Sequence, residues 1–270
     1  MSSPLVSFII PYYNAGATIQ ETIDSIFNQS YSNFDVWLIN DGSTDPLSIK
    51  KLKDFEGNDK IRILHQENSG PSVARNVAIE QSKADYILPL DADDLIENSS
   101  LSESLKIMNN KEVGVVYGNI QFFGDDHTVK EQFNFSLDRQ LLMNQVAVTA
   151  LIRKSVFTEV GYYDEFLSKP GLEDWEFWIR VGQSAYSFQK LEMIFFKVRI
   201  NQSSRTYQVA NNNLEMIKDF VYNKHLHLVV EKYQELFYQK KQLIETPDYR
   251  IGHIILAPYR FIKKKILKNG

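Results

Sequence analysis

Residues 5–45 read LVSFIIPYYNAGATIQETIDSIFNQSYSNFDVWLINDGSTD. The opening run, Leu5 to Pro11, is a short apolar segment ended by a proline, which predicts a buried strand. Ile19, Ile23, Ile26 and Phe27 then recur at helical spacing. Phe34 to Asn40 is apolar again and breaks into the turn-like Asp41-Gly42-Ser43-Thr44-Asp45. Strand, helix and strand in succession imply parallel pairing.

The same rhythm continues outward. Ser43 or Thr44 is expected to cap a helix running through Ile49 and Leu52. IRILHQ (61–66) reads as a third strand, and SVARNVAIEQSK (72–83) as a helix with Pro71 in its first turn. ADYILPL (84–90) is a fourth strand that ends at DADD. SSLSESLKIMNN (99–110) reads as a helix opened by a serine, and VGVVYGNIQFFGD (113–125) as strand. The fold class is therefore α/β: an open, twisted, mostly parallel sheet flanked by helices. Ligands in such sheets sit beyond the carboxyl ends of the strands. Three polar segments are expected on that rim: PYYNAG after the first strand, NDGSTD after the second and DADD after the fourth.

The second half is less regular. VAVTALIRKSVF (146–157) suggests a strand entering a helix, EDWEFWIRVGQ (173–183) an amphipathic helix, and MIFFKVRI (193–200) a strand. Residues 212–244 suggest one or two helices.

Composition narrows the chemistry. The chain has 270 residues and no cysteine, which excludes disulfides, thiolate metal sites and a thiol nucleophile. The N-terminal apolar run is too short for a signal peptide and lacks a basic region before it. No run of 18 apolar residues occurs, so a transmembrane helix is not expected. These features together lead to the expectation of a cytoplasmic protein. The net charge is −4, but residues 247–270 hold six basic residues against Asp248 alone, a net +5, leaving −9 on residues 1–246. An acidic body argues against a nucleic-acid partner. The tail mixes Ile, Leu, Tyr and Phe with Lys and Arg, a pattern that docks on anionic membranes or packs as an ordinary terminal helix.

Asp91, Asp93 and Asp94 crowd three like charges directly after a buried strand. One explanation is capping of the next helix near Asn98 and Ser99. The other is a divalent cation, Mg²⁺ or Mn²⁺, which takes few carboxylates and completes its shell with water and substrate phosphates. Asp41 fits either an ordinary Asp-Gly turn or hydrogen bonding to a base or ribose. Glu173 and Asp174, by themselves, fit helix N-terminal acids favoured by the macrodipole.

Taken together, PYYNAGATIQETIDSIFNQSYSNFDVWLINDGSTD, NSGPSVARNVAIEQSKADYILPLDADD and VTALIRKSVFTEVGYYDEFLSKPGLEDWEFWIRV resemble the family-2 glycosyltransferases of GT-A fold, over residues 5–206. The resemblance implies a GT-A domain over 1–210, with a nucleotide-sugar-binding half at 1–120 and an acceptor-side half at 121–210. A helical extension at 211–246 and the basic tail at 247–270 would follow. It implies that Pro11 and Tyr13 line the nucleoside pocket and that Asp41 recognises the base, usually uracil. Gly70, Arg75 and Asn76 would lie beside the nucleotide and its phosphates. Asp91 and Asp93 match the family's DxD pair, with Asp93 as ligand to Mn²⁺ or Mg²⁺ and Asp91 near the ribose or the metal. Asp174 matches the catalytic base and Glu173 its motif neighbour. The implied activity is inverting, metal-dependent transfer of a hexosyl group from a nucleotide sugar, UDP-linked by expectation. The implied acceptor is the hydroxyl of a glycan or lipid-linked molecule in bacterial surface polysaccharide synthesis, at the inner face of the plasma membrane.

One departure concerns the segment after MIFFKVRI. Related enzymes carry RxHxxSxT there, whereas this chain reads RINQSSRT, so Asn201 stands in the histidine's place and Arg199 or Arg205 becomes the candidate diphosphate contact. No QxxRW follows EDWEFW, which resembles non-processive members. A nucleotidyltransferase would share the layout but should carry a Gly-rich basic loop, and PYYNAG has none. A non-catalytic nucleotide-sugar-binding module is the other alternative, opposed by the presence of Asp93 and Asp174.

Overall fold

The computed structural model describes residues 3–200 and 211–245. Its sheet begins with β1 (Val6–Tyr12), β2 (Phe34–Asp41), β3 (Ile61–Gln66) and β4 (Tyr86–Pro89). The helices α1 (Ile19–Phe27), α2 (Pro46–Phe55) and α3 (Pro71–Gln81) connect them. Beyond β4 come the two-residue β5 (Leu95–Ile96), α4 (Ser100–Met108), β6 (Val113–Gly124), β7 (Val129–Lys130) and α5 (Leu137–Leu142). The order continues with β8 (Leu151–Arg153), α6 (Lys154–Val160), a short 3₁₀ turn at Glu165–Ser168, α7 (Glu173–Gly182) and β9 (Ser187–Ile200). Two further helices, α8 (Asn211–Lys224) and α9 (Leu226–Glu245), belong to the C-terminal part.

The sheet order is β3-β2-β1-β4-β8-β6-β9-β5, with β7 added beside β6. Pairing is parallel from β3 to β4, as the βα rhythm requires. It turns mixed beyond: β8 lies antiparallel between β4 and β6, β9 runs parallel to β6, and β5 is antiparallel to β9. Pro11 does not end β1 but lies inside it, opposite Ile39. It is tolerated because the pairing with β4 stops at Ile9 and Pro89, before the missing N–H matters.

Period-2 alternation divides the strands between two cores. Phe8, Ile10 and Tyr12 of β1, with Val36 and Leu38 of β2, face α1, α2 and α4 through Ile19, Ile23, Ile26, Leu52, Phe55 and Leu101. Ile9, Trp37, Ile39 and Ile87 face the other way, onto α3, α6 and α7. Each large apolar side chain buried in this way contributes about 1.5–3 kcal/mol. α3 packs through Ala74, Ala78 and Ile79, and small side chains let it lie close to the sheet. α7 was expected to be amphipathic, yet Trp175, Glu176, Phe177, Trp178, Ile179 and Val181 are all buried. Its polar side is covered because Glu176 forms an ion pair with Arg180, whose guanidinium also donates to the carbonyl oxygens of Val160 and Tyr162.

The chain separates into two compact units, residues 1–219 and 220–270. Among the described residues no helix is long and apolar enough to cross a membrane.

Candidate active site

The three polar segments meet at the carboxyl rim of the parallel strands, stitched by hydrogen bonds. The Asn14 side-chain oxygen accepts from the backbone N–H groups of Thr44 and Asp45, at 2.9 and 3.0 Å, and the Asn14 N–H donates to Ser43 Oγ. Asn14 adopts φ 51° to do so, a left-handed conformation that asparagine tolerates better than most residues. The Gly16 N–H donates to Ser48 Oγ at 2.8 Å, and a Cβ on Gly16 would come within 2.6 Å of the Ser48 backbone. Thr18 Oγ1 reaches the carbonyl of Ala92 inside DADD. The cap of α2 is Asp45, not Ser43 or Thr44: its carboxylate accepts from the Ser48 N–H while Pro46 fills the first turn.

DADD caps no helix. It runs instead into β5, and α4 begins after Ser99 without a side-chain cap. The Asp94 carboxylate is buried and accepts from the backbone N–H of Arg199 at 3.0 Å. Arg199 also donates through Nε to the Asp93 carbonyl and pairs with Glu21 at 2.9 Å. This places the end of β9 against DADD, with the Arg199 guanidinium engaged by Glu21. Burial, followed by the Asp91 charge, pushes the Asp93 carboxyl up to about 6. Burial and the charges of Asp91 and Asp93 drive Asp94 well above the usual carboxylate range.

Arg75 connects this cluster to the GLEDW segment that opens α7. It is 2% exposed, donates to Asp91 Oδ1 at 2.5 Å and forms an ion pair with the Glu173 carboxylate. Its Nε finds no protein partner. Burial alone would lower the guanidinium's proton affinity, but Asp91 and Glu173 raise it, so the charge is permanent. Glu173 is thus a buried counter-ion at the start of α7. Leu172, just before it, is held at φ 59°. This left-handed conformation stores strain in a residue with a full side chain, and it sets the angle at which α7 enters the site.

Asp174 points to the other side. Its Oδ2 accepts from Asn144 Nδ2 at 2.8 Å, and Oδ1 accepts from the Trp175 N–H at 2.9 Å. Burial and the adjacent Glu173 charge push its carboxyl up to about 7, against the pull of the Asn144 amide and Arg75. A partly accessible carboxylate balanced near neutrality suits a general base.

The remaining sequence candidates fall around this line. Tyr13 is half exposed on the rim, and Pro11 lies below it in β1. Asp41 is buried and spends both oxygens on the chain, accepting from Gln66 Nε2, the Ser69 N–H and the Gly70 N–H, each at 2.8 Å. Gly70 stands at φ 89° against Ser168, where a Cβ would come within 2.5 Å of Oγ. The Asn76 amide exchanges two hydrogen bonds with the backbone of Tyr163, so it holds the loop after α6. Asn201, Arg205 and the basic tail at 247–270 lie outside the described residues. Sequence reasoning missed Asn144. A lone asparagine in an irregular stretch carries no local signal, and its partner is 30 residues away.

Among the described residues no group of three or more His, Asp or Glu side chains is arranged as a metal site. Asp91 and Asp93 still fit an ion of the Mg²⁺ or Mn²⁺ type, which needs only one or two carboxylates beside substrate phosphates. The elevated Asp93 carboxyl is the kind of uncompensated charge that a cation relieves.

The model of glycosyl transferase family 2 matches residues 7–163. The chain belongs to that family. A glycosyltransferase of Rickettsia typhi, itself uncharacterized, is 30% identical over 233 residues, covering 81% of this chain and 70% of that protein. Another from Rickettsia bellii is 31% identical over 222 residues, 77% of this chain and 32% of its own length. This family-2 chain spans 32% to 49% of the length of the first three curated relatives it matches. Among solved structures, S. aureus TarS 1–349 in complex with UDP-GlcNAc superposes with a TM-score of 0.65 at 18% identity, covering 76% of this chain and 61% of that one. A TarS 1–349 complex with UDP gives 0.60 at 20% identity, over 73% and 60%. At that identity the likeness establishes the shared fold.

Proposed function

We propose that this chain is an inverting, metal-dependent glycosyltransferase that moves a sugar from a UDP-linked donor to a hydroxyl of a glycan or lipid-linked acceptor in bacterial surface polysaccharide synthesis. The observation that carries the reading is Arg75. Its single buried guanidinium ties Asp91 of DADD to Glu173 beside Asp174. Donor-side and acceptor-side carboxylates are thereby set at a fixed separation, as a transfer between two bound substrates requires. The TarS complexes with UDP and UDP-GlcNAc support the choice of donor.

In this mechanism Asp174 accepts the proton of the acceptor hydroxyl as its oxygen attacks the anomeric carbon. The carbon passes through an oxocarbenium-like state, as in glycoside hydrolysis. The bond to the nucleoside diphosphate breaks on the opposite face, so the configuration inverts. A divalent cation held by Asp93 and Asp91 would stabilise the charge growing on the departing diphosphate. Tyr13 on the rim offers an aromatic surface to the nucleoside. Asp41 sets the loop that carries Gly70, and one acceptor position remains on its carboxylate for a base.

The test is calorimetric binding of UDP, GDP, CDP and dTDP, with Mn²⁺ or EDTA, to the wild type and Asp93→Ala. UDP is expected to bind only with metal, and Asp93→Ala to lose that binding. Metal-independent binding, or binding unchanged in Asp93→Ala, would remove the cation from the mechanism. Residues 247–270 are proposed to hold the protein on anionic lipid. Each basic residue near such a surface is worth about 1 kcal/mol. Truncation at residue 246 should weaken sedimentation with phosphatidylglycerol vesicles and spare UDP binding. Equal sedimentation of the two forms would dispose of the tail's role.

A further inference from the structure

We propose that Asn144 is the positioning residue that holds the Asp174 carboxylate in its working orientation and presents it a donor of fixed polarity. The proposal rests on Asp174 being the base, as argued above.

The polarity is set by a chain of hydrogen bonds behind the site. Gln140, on α5, is fully buried. The Gln145 N–H donates to its Oε1 at 2.9 Å, so the other end of the Gln140 amide is the NH₂. That Nε2 donates to the Trp175 carbonyl at 3.2 Å and to Asn144 Oδ1 at 3.0 Å. With its oxygen so occupied, Asn144 has only its NH₂ to turn toward Asp174, and it donates to Oδ2 at 2.8 Å. A flipped Asn144 amide would set NH₂ against NH₂ on one side and oxygen against carboxylate on the other, and both contacts are repulsive. The Trp175 indole N–H donates to the Gln140 carbonyl at 2.5 Å and clamps α5 to α7. The backbone N–H of Gln145 thus dictates, through two amides, which face of the base meets a donor.

Two consequences follow for Asp174. The carboxylate cannot rotate without losing both the Asn144 and Trp175 donors. A donor on the charged form also favours ionisation. It opposes burial and Glu173, the first of the charged or titratable groups facing Asp174, which also include Arg75 on α3 and the buried Tyr163 hydroxyl. Asn144 therefore enlarges the ionised fraction of the carboxylate near neutral pH, against burial and the Glu173 charge.

The experiment follows the Asp174 carboxyl directly. Protein labelled with ¹³C at aspartate is titrated by NMR, and the Asp174 resonance is the one missing in Asp174→Asn. The expected midpoint is about 7 in the wild type and about one unit higher in Asn144→Ala. Asn144→Asp, which keeps the shape but replaces the donor by an acceptor, should shift it further upward. Gln140→Met should shift it the same way by less. A midpoint in Asn144→Ala or Asn144→Asp at or below that of the wild type would overturn the proposal, because a merely structural role lowers stability without moving this titration. The base assignment is tested separately, by release of UDP from UDP-GlcNAc in wild type and Asp174→Asn. Measurable release by the wild type that is undiminished in Asp174→Asn would refute the base while leaving the titration result to decide on Asn144.

Discussion

Replacing Arg75 by methionine removes one charge and strands two. The consequences differ for the two partners because their burial differs. The Glu173 side chain is 9% exposed and the Asp91 side chain 44%. Removing one partner of a buried ion pair costs about 3–5 kcal/mol, because the other charge is left uncompensated. An ion pair open to solvent on one side is worth about 0–1 kcal/mol. The loss in Arg75→Met should therefore come mainly from Glu173 and total about 3–5 kcal/mol. Urea unfolding followed by tryptophan fluorescence suits the measurement, since Trp175 and Trp178 are buried on the helix that Glu173 begins. With a denaturant slope of about 3 kcal/mol/M, the midpoint should fall by about 1 M or more. The double variant Arg75→Met/Glu173→Gln should recover most of that loss, because no buried charge then remains without a partner. Asp91→Asn alone should cost little. An Arg75→Met midpoint within 0.3 M of wild type (~1 kcal/mol at that slope), or strict additivity in the double variant, would refute the reasoning.

Further outcomes are expected at the same rim. If the proposed function holds, sugar transfer from the nucleotide-linked donor should fall as pH drops through about 7, where the Asp174 carboxyl takes up its proton, and Asp174→Asn should cost about 10²–10⁴-fold while nucleotide binding is retained. A pH profile flat from 5 to 9 would exclude that group. Asp93 carries a folded-state carboxyl raised to about 6, so the folded form binds its proton more tightly than the unfolded chain. Its charge therefore costs stability as pH rises from the unfolded value, near 4, through 6. Asp93→Asn should raise the melting temperature at pH 7.5 in EDTA, and an unchanged or lower value at that pH would contradict the assignment. Gly70→Ala should destabilise the fold by about 1 kcal/mol or more, since it meets both a positive φ and the Ser168 hydroxyl. A melting temperature equal to wild type would show that the loop yields.

The periodic elements were legible along the chain. Residues 5–90 alternate between runs of period 2 and period 3.6, and those periods are imposed by backbone geometry at short range. DADD and GLEDW were legible for a related reason, because unusual charge density next to an apolar run is a local fact. The same local view misplaced the α2 cap, where Asp45 outcompetes Ser43 and Thr44 because Pro46 sets the first turn. It also read α7 as amphipathic, since the partner of Glu176 is an arginine one turn on, and an ion pair of this kind can be exposed or buried.

What the sequence by itself determined is the menu of elements, the parallel half of the sheet and the residue types at its carboxyl rim. The tertiary structure alone decided how those residues are joined. Arg75 meets Glu173 across 98 positions, Asn76 meets Tyr163 across 87, and Arg199 meets Asp94 across 105. It also decided that β8 enters antiparallel between β4 and β6, which brings α6 and α7 under the rim. The physical reason is range. Propensity and periodicity act within a few residues, whereas an ion pair or a buried amide finds its partner only after hydrophobic burial has brought distant segments together. A carboxylate's role depends on that partner. Asp41 organises a loop, Glu173 balances the Arg75 cation, and Asp174 holds a carboxyl raised to about 7 against the Asn144 amide. The three share one chemistry, and only their surroundings tell them apart: in Asp174 these are the Asn144 amide, the Trp175 N–H and the adjacent Glu173.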